Sequence, residues 1–520
     1  MRLFFTTIGY AILAILIGAV TWSGSRVRRP SDQASVAASP ANNSIDACFE
    51  ALWKEQKTLP SATVDDLTYA RRAALGIVGV IPSLEEIRWY EAQPAETRRE
   101  AYVERLLADR RFAETLADRL AQAWLPTKVG DNFVLYRPFR FRAWLTDQID
   151  AGVPYPTIVR QMLSSDGLWT DSPAVNFITA YGAKPEELAD ETARSFLGLQ
   201  IGCAQCHDHP FASWKQTEFR GLAAHFGRTD ITFRGIDDSG DTFRFGAEGD
   251  AEGLLVPAAV PYGKNPSQPT PNMRHRLAQW VTEESNDRFY LAISNRIWGM
   301  MMGRPIVQPV DDLDAPHSVP GLLEESALLF RQHDGDFRSL FRAIACSRSF
   351  QATSSLGEAK ALESHEASLA SYPLTRLDPM QVAHCLSQVA SLRTLDSQTG
   401  VVRRVIGFFD NQNFLEYFRT EANDESGTMS QRLMLMNDKL VQERIASALG
   451  SSSEGISHHA SNAEQAVELA FLVCLTRRPH PDETKSLASM IKRSGDHLDP
   501  ADVEDLLWAL VNSSEFLLRH

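Results

Sequence analysis

Leu188-Ala189-Asp190-Glu191-Thr192-Ala193-Arg194-Ser195-Phe196-Leu197-Gly198-Leu199-Gln200-Ile201-Gly202-Cys203-Ala204-Gln205-Cys206-His207-Asp208-His209-Pro210 runs a helical pattern straight into a cysteine loop. Leu188, Thr192, Phe196, Leu197 and Ile201 recur at helical spacing, and Gly202 is expected to break the run. Past Pro210 and Trp214, Phe219, Leu222, Ala223 and Phe226 fall at i, i+3, i+4 and i+7, one face of a second helix. A loop seated between two amphipathic helices makes this part of the chain α-helical.

The loop holds two of the six cysteines and two of the thirteen histidines. Cys203-x-x-Cys206-His207 is the spacing of covalent c-type haem attachment. Two thiols three residues apart on one turn can each add to a vinyl group of one porphyrin. The histidine after the second cysteine is then held beneath the iron as an axial ligand. Two other chemistries use the same residues. A Cys-x-x-Cys pair forms redox disulfides, usually at a strand-to-helix junction in a βαβ setting, which this region lacks. Cys203, Cys206, His207 and His209 also have the softness to bind zinc or iron, with help from a second segment because four ligands within seven residues strain the backbone. No residue reads as catalytic. Candidates for a sixth haem ligand are His209, His225, Met273, His275, Met300, Met301 and Met302.

Working outward, helical periodicity covers about 98–109, 112–125, 138–151 and 155–164, with breaks at Pro126, Gly152 and Pro154-Tyr155-Pro156. It resumes at about 273–284, 287–302, 320–332 and 336–347. Ser83 and Glu86 form a capping box. The only strand signal is Ile231–Arg234 against Thr242–Phe245, a hairpin across an acidic turn that reads as solvated rather than calcium-binding. Asn295 and Arg296 near Gly303-Arg304 and Asp311-Asp312 suggest an Arg–Asp pair locking a helix to its following loop. Stretches at about 352–368, 420–428 and 450–462 read as loops, and Asp505–Val511 as an apolar helix that must dock. The fold class is therefore mainly α: one multi-helix body with a short β-hairpin insertion.

The chain has 520 residues, enough for two to four domains, and a net charge of −14 that disfavours a nucleic-acid partner. Leu3–Trp22 is an apolar stretch long enough to span a bilayer, as a signal peptide or an uncleaved anchor. The lack of a clean small-x-small cleavage site favours the anchor, while Arg26, Arg28 and Arg29 on its C-terminal side oppose export by the positive-inside rule. Residues 23–44, rich in Ser, Ala, Pro and Asn, read as a flexible linker. Cys48, Cys346, Cys385 and Cys474 are too irregularly spaced for a disulfide framework and read as small buried hydrophobes.

Several motifs in order resemble a known family. They are Tyr69-Ala70-Arg71-Arg72, Val103–Leu107, Val153-Pro154-Tyr155, and Phe196–Gln200 leading into the cysteine loop and Phe211. In the second half come Ser294–Trp298, Gly303-Arg304, Pro309–Asp312, Ser347–Gln351 and Asn512–Phe516. Together they resemble secreted proteins of unknown function, abundant in planctomycetes, that join a PSCyt-type cytochrome-like domain to a PSD-type domain. The resemblance implies export and carries haem attachment onto Cys203, Cys206 and His207, but implies no reaction. It also implies regions at 45–227 (PSCyt-like), 228–272 (loop and hairpin insertion) and 273–520 (PSD-like). Two departures stand out. The separate N-terminal haem domain of many relatives is replaced here by residues 1–22 and the linker, and Asp314–Pro320 lacks the usual Pro-Ser-His-Pro-like turn around His317.

The expectation is thus a membrane-tethered protein of the bacterial cell envelope, its body outside the cytoplasm. It would carry one covalent haem c at Cys203, Cys206 and His207 and exchange electrons with a redox partner. A non-haem zinc or iron site, with His209 recruited and a hydrolytic role, is the second reading. A scaffold or surface-polymer binding protein is the third.

Overall fold

Short polar side chains set the starts of many helices. Asp65, Ser83, Asp109, Asn272, Asp336, Ser347, Asp378, Ser451, Asn462 and Asp499 each accept a hydrogen bond from an amide of the first turn that follows. The Ser83–Glu86 capping box is present in full. The computed structural model describes residues 44–126, 138–210, 212–238, 244–245, 253–264, 272–316, 319, 321–354, 368–395, 433, 435–437, 439–446 and 450–519. The Leu3–Trp22 stretch, the linker to residue 43, His317 and the 420–428 loop lie outside them. Among the described residues, no helix is long and apolar enough to cross a membrane.

The architecture is helix on helix, and among the described residues strand is confined to four two-stranded antiparallel ribbons. The periodic runs appear as Arg98–Ala108, Arg110–Trp124, Pro138–Asp150, Tyr155–Ser164, Met273–Val281, Asp287–Met302, Leu322–Gln332 and Phe337–Ala345. Pro500–Val511 docks against Ser452–His459 and Ala463–Leu475, burying Leu507 and Val511 completely. Residues 42–520 pack as one body.

A chain of aromatic rings explains why. Tyr155 stacks on Phe289 at 4.6 Å and lies 5.6 Å from Phe337 and 6.0 Å from Phe330. From Tyr155 the contacts pass to Trp124 at 6.3 Å, and from Trp124 to Phe196 at 5.5 Å. Phe196 sits in the last turn before the cysteine loop. The first and second halves of the sequence therefore share one core, and the loop is anchored to it.

Several expectations need correction. The helix before the loop, Pro185–Leu197, ends at Gly198 and not at Gly202. Gly198 adopts φ 58°, and a Cβ there would sit 2.5 Å from Leu313 Cγ, so both conformation and space demand glycine. The hairpin is paired differently. Asp230–Thr232 pairs with Gly235–Asp237 across Phe233-Arg234, while Arg244–Phe245 pairs with Leu254–Leu255. Gly235 permits the tight turn at φ 100° and lets Ile236 exchange hydrogen bonds with Gly167 at 2.8 and 2.9 Å.

Of the acidic turn, residues 239–241 lie outside the described ones, while Asp238 takes a bidentate bond from the buried Arg274 at 2.8 and 3.0 Å. The loop after Asp287–Met302 is locked by Asn295, which bonds Val307 in both directions at 2.9 Å, while Asp311 pairs with Arg194 at 3.1 Å. Finally, 450–462 contains the helix Ser452–His459, whose buried serines allow close approach to the C-terminal helix; Ser457 bonds the Leu498 carbonyl.

Candidate functional site

Gly198 turns the chain out of its helix, and Gly202–Gln205 then forms a single 3-10 turn. Asp190, from the middle of the Pro185–Leu197 helix, presses its carboxylate to 2.7 Å from where a Gly202 Cβ would stand, so the turn can sit only this close to the helix with glycine there. Burial, with the Asp311 carboxylate nearby, pushes Asp190 up against the pull of Arg194. Ala204 is fully buried and its N–H bonds the Ile201 carbonyl at 2.8 Å, plugging the turn into the core. Beneath it, Arg194 binds the Glu191 carboxylate, Asp311 and the Ala123 carbonyl, fixing the supporting helix.

Against that base, Cys203 and Cys206 project as free, exposed thiols from one turn. This separates them from Cys385 and Cys474, which are buried; burial pushes the Cys385 thiol up to about 12. Cys48 and Cys346 are half-buried. His207 is exposed, and its Nδ1 lies 2.7 Å from the Asp208 carbonyl oxygen. With Nδ1–H donating there, Nε2 carries the lone pair, which is the tautomer a metal-ligating histidine uses.

The return path is held from the next helix, Gln216–Ala223. Asp208 accepts from the Gln216 amide at 2.9 Å and from Lys215 Nζ at 3.2 Å, which together hold its carboxyl below the usual range. Gln216 Nε2 reaches back to the Gln205 carbonyl at 3.1 Å. His209 belongs to the turn rather than to the thiols. Its Nδ1 accepts from the Ala212 amide at 2.8 Å, and its own amide donates to the Trp214 carbonyl at 2.8 Å.

Cys203, Cys206 and His207 thus share one turn, with His209 beyond it. Among the described residues, no three His, Cys, Asp or Glu side chains gather as for a metal ion. Of the sixth-ligand candidates, His225 lies beyond the end of the Gln216–Ala223 helix and is 1 % exposed. Met301 and Met302 are core residues. Asp190, Asp208 and Gln216, which shape the loop, were not singled out by sequence. Only Asp208, inside the motif, carried any signal, because a side chain bonding seven or eight residues ahead leaves no periodic trace.

The family motifs find their explanation in the same body. Tyr69 Oη donates to the Ala345 carbonyl at 3.2 Å. Arg71 donates to the carbonyls of Cys474 and Phe516 at 3.1 and 3.0 Å. Arg72 bonds the carbonyls of Phe350 and Ala352 and lies 3.6 Å over the Tyr372 ring. Three consecutive-turn residues of one helix thereby tie three distant segments, two of them motifs themselves.

Helical body, shared aromatic core and cysteine loop define a two-region, mainly α protein. Residues 44–231 match the family model PSCyt2, a protein of unknown function (DUF1549), and residues 273–400 match PSD1, a protein of unknown function (DUF1553). The chain belongs to the proteins that join a PSCyt2 region to a PSD1 region. No curated protein and no solved structure matches it.

Proposed function

We propose that this chain is a cytochrome-c-like protein of the cell envelope that holds one haem covalently through Cys203 and Cys206, with His207 as axial ligand. The observation that carries the reading is the His207 Nδ1–Asp208 carbonyl contact of 2.7 Å beside two free, exposed thiols on the same turn. The residues fit the group. Both sulfurs are accessible for thioether formation, and the nitrogen left to ligate is held in one tautomer by backbone. When bound, a c-type haem supplies one-electron redox chemistry. The chain's own part is to present the thiols, orient the imidazole and hold the loop through Asp208 and Gln216.

Leu3–Trp22 would tether the body to the membrane, with its partner a second redox protein outside the cytoplasm. Membrane fractionation of full-length protein against a chain starting at residue 44 tests the tether.

Haem staining of a denaturing gel, from cells with proven maturation machinery, tests the attachment. The wild-type band should stain and give a pyridine haemochrome spectrum, and Cys203→Ser with Cys206→Ser should abolish both. His207→Ala should weaken and shift the Soret band while part of the stain persists. A wild-type band that never stains overturns the proposal. Metal analysis of that colourless protein then decides between a zinc or iron site and a scaffold.

A further inference from the structure

Near the end of the chain, two histidines that the haem reading does not use meet each other. His458 lies in the last turn of the Ser452–His459 helix, and His497 on the ribbon that pairs Arg493-Ser494 with His497-Leu498. Their ring centroids are 4.1 Å apart and the ring planes are tilted by 58°. Both residues are exposed. Among the described residues neither ring has a hydrogen-bond partner.

Backbone pairings, not the rings, bring them together. Buried Ser457 donates through Oγ to the Leu498 carbonyl, which clamps the chain one residue before His458 to the chain one residue after His497. Ser494 stands opposite His497 in the ribbon, and Gly495, at φ 68°, makes the turn between them. The Asp499 amide donates to the Lys492 carbonyl at 2.9 Å, and the Lys492 amide to Asp502 at 2.7 Å. The ribbon is thereby fastened to the start of the Pro500–Val511 helix. Two imidazoles are held side by side by bonds that use neither of them.

That spacing suits a shared ion. Imidazoles that bind one metal at about 2.0–2.1 Å have tilted planes and ring centroids roughly 4.5–5 Å apart. The pair falls short of this by roughly 0.5–1 Å, within the thermal swing of exposed side chains. Among the described residues no third His, Cys, Asp or Glu completes a set, so the ion's other positions go to water. Open nitrogen sites of this kind take Zn²⁺, Ni²⁺ or Cu²⁺ and not Mg²⁺, whose ligands are oxygens.

We propose that His458 and His497 form a two-histidine site for a divalent transition-metal ion of the zinc and copper class, which clips the 493–498 ribbon to the Ser452–His459 helix. The clip joins segments on either side of the Ala463–Leu475 helix in sequence and braces the C-terminal layer.

Zn²⁺ is the probe, titrated by calorimetry into the full chain carrying Cys203→Ser and Cys206→Ser, so that those thiols do not compete for it. Saturable binding is expected, with Cu²⁺ binding more tightly than Zn²⁺ and Mg²⁺ failing to compete. His458→Ala and His497→Ala should each weaken Zn²⁺ about tenfold or more, whereas His459→Ala, the exposed neighbour, should bind as before. Saturating Zn²⁺ should also raise the thermal unfolding midpoint of the parent chain and of neither variant, because only the folded chain holds the two imidazoles together. Absence of saturation, parent-like affinity in either variant, or an equal loss in His459→Ala overturns the site. Binding that leaves the midpoint unmoved overturns the clip.

Discussion

Arg71 Nη1 donates to the carbonyl oxygen of Cys474 at 3.1 Å, a bond between residues 403 positions apart. Its second terminal nitrogen reaches the Phe516 carbonyl, so one guanidinium from an early helix holds both the Ala463–Leu475 helix end and the chain's last turn. Burial lowers its proton affinity from the usual value, yet no carboxylate binds it directly among the described contacts. The arginine serves as a backbone connector. Its planar fork spans two acceptors that a lysine's single ammonium cannot reach together.

Arg71→Met should therefore leave two carbonyls without their donor and cost about 3 kcal/mol, with Arg71→Lys recovering less than half. Urea unfolding midpoints measure this. A midpoint unchanged from wild type would show that water replaces the guanidinium.

His225 sets an acid limit. Burial pushes its imidazole down to about 4 from 6.5, and its Nε2 has no partner among the described residues. Above pH 6.5 the folded and unfolded states both hold it neutral, and stability is full. As pH falls from 6.5 to 4 only the unfolded state takes the proton, so stability declines across that window by at most about 3 kcal/mol. His225→Phe should flatten this part of the stability–pH curve. An equally steep curve for the variant would assign the loss to other groups.

Gly198→Ala should destabilise by about 1–2 kcal/mol, because alanine resists φ 58° and its methyl meets Leu313. Leu313 also bonds the Gly198 carbonyl at 3.0 Å, so the strain falls on the base of the cysteine loop. Leu313→Ala in the same chain should recover part of the loss, measured by thermal unfolding. No recovery would place the cost in the backbone alone.

Helices were legible because one buried face repeats every three or four residues: Phe219, Leu222, Ala223 and Phe226 are all at most 1 % exposed. Ser452–His459 was not, since its buried positions are mostly serines and its stability comes from docking. Pairings between distant segments left no local trace. The Arg–Asp pair expected to lock the Asp287–Met302 helix to its following loop is Arg194–Asp311, across 117 positions. At the site, Cys203, Cys206 and His207 were legible from spacing alone. Asp190 and Gln216 were not, because each meets the loop only once the chain has folded.

Asp208 offers a test of whether the loop is shaped before any prosthetic group arrives. It is fully exposed, so its carboxylate adds no buried contact; its effect is to fix the Gln216 amide and, through Lys215, the approach to the next helix. Asp208→Ala should leave the global unfolding midpoint unchanged while amide exchange at Gln216 and along 203–209 accelerates about tenfold or more, since the Gln216 amide loses its side-chain acceptor. His207→Ala should not accelerate exchange at Gln216, because His207 bonds the Asp208 carbonyl and not its carboxylate. Under the haem reading, Asp208→Ala should also lower the fraction of chains that stain while leaving the Soret position of those that do unaltered. Exchange at Gln216 identical to wild type would mean that the neighbouring Gln216–Gln205 and His209–Trp214 bonds hold the loop without the carboxylate.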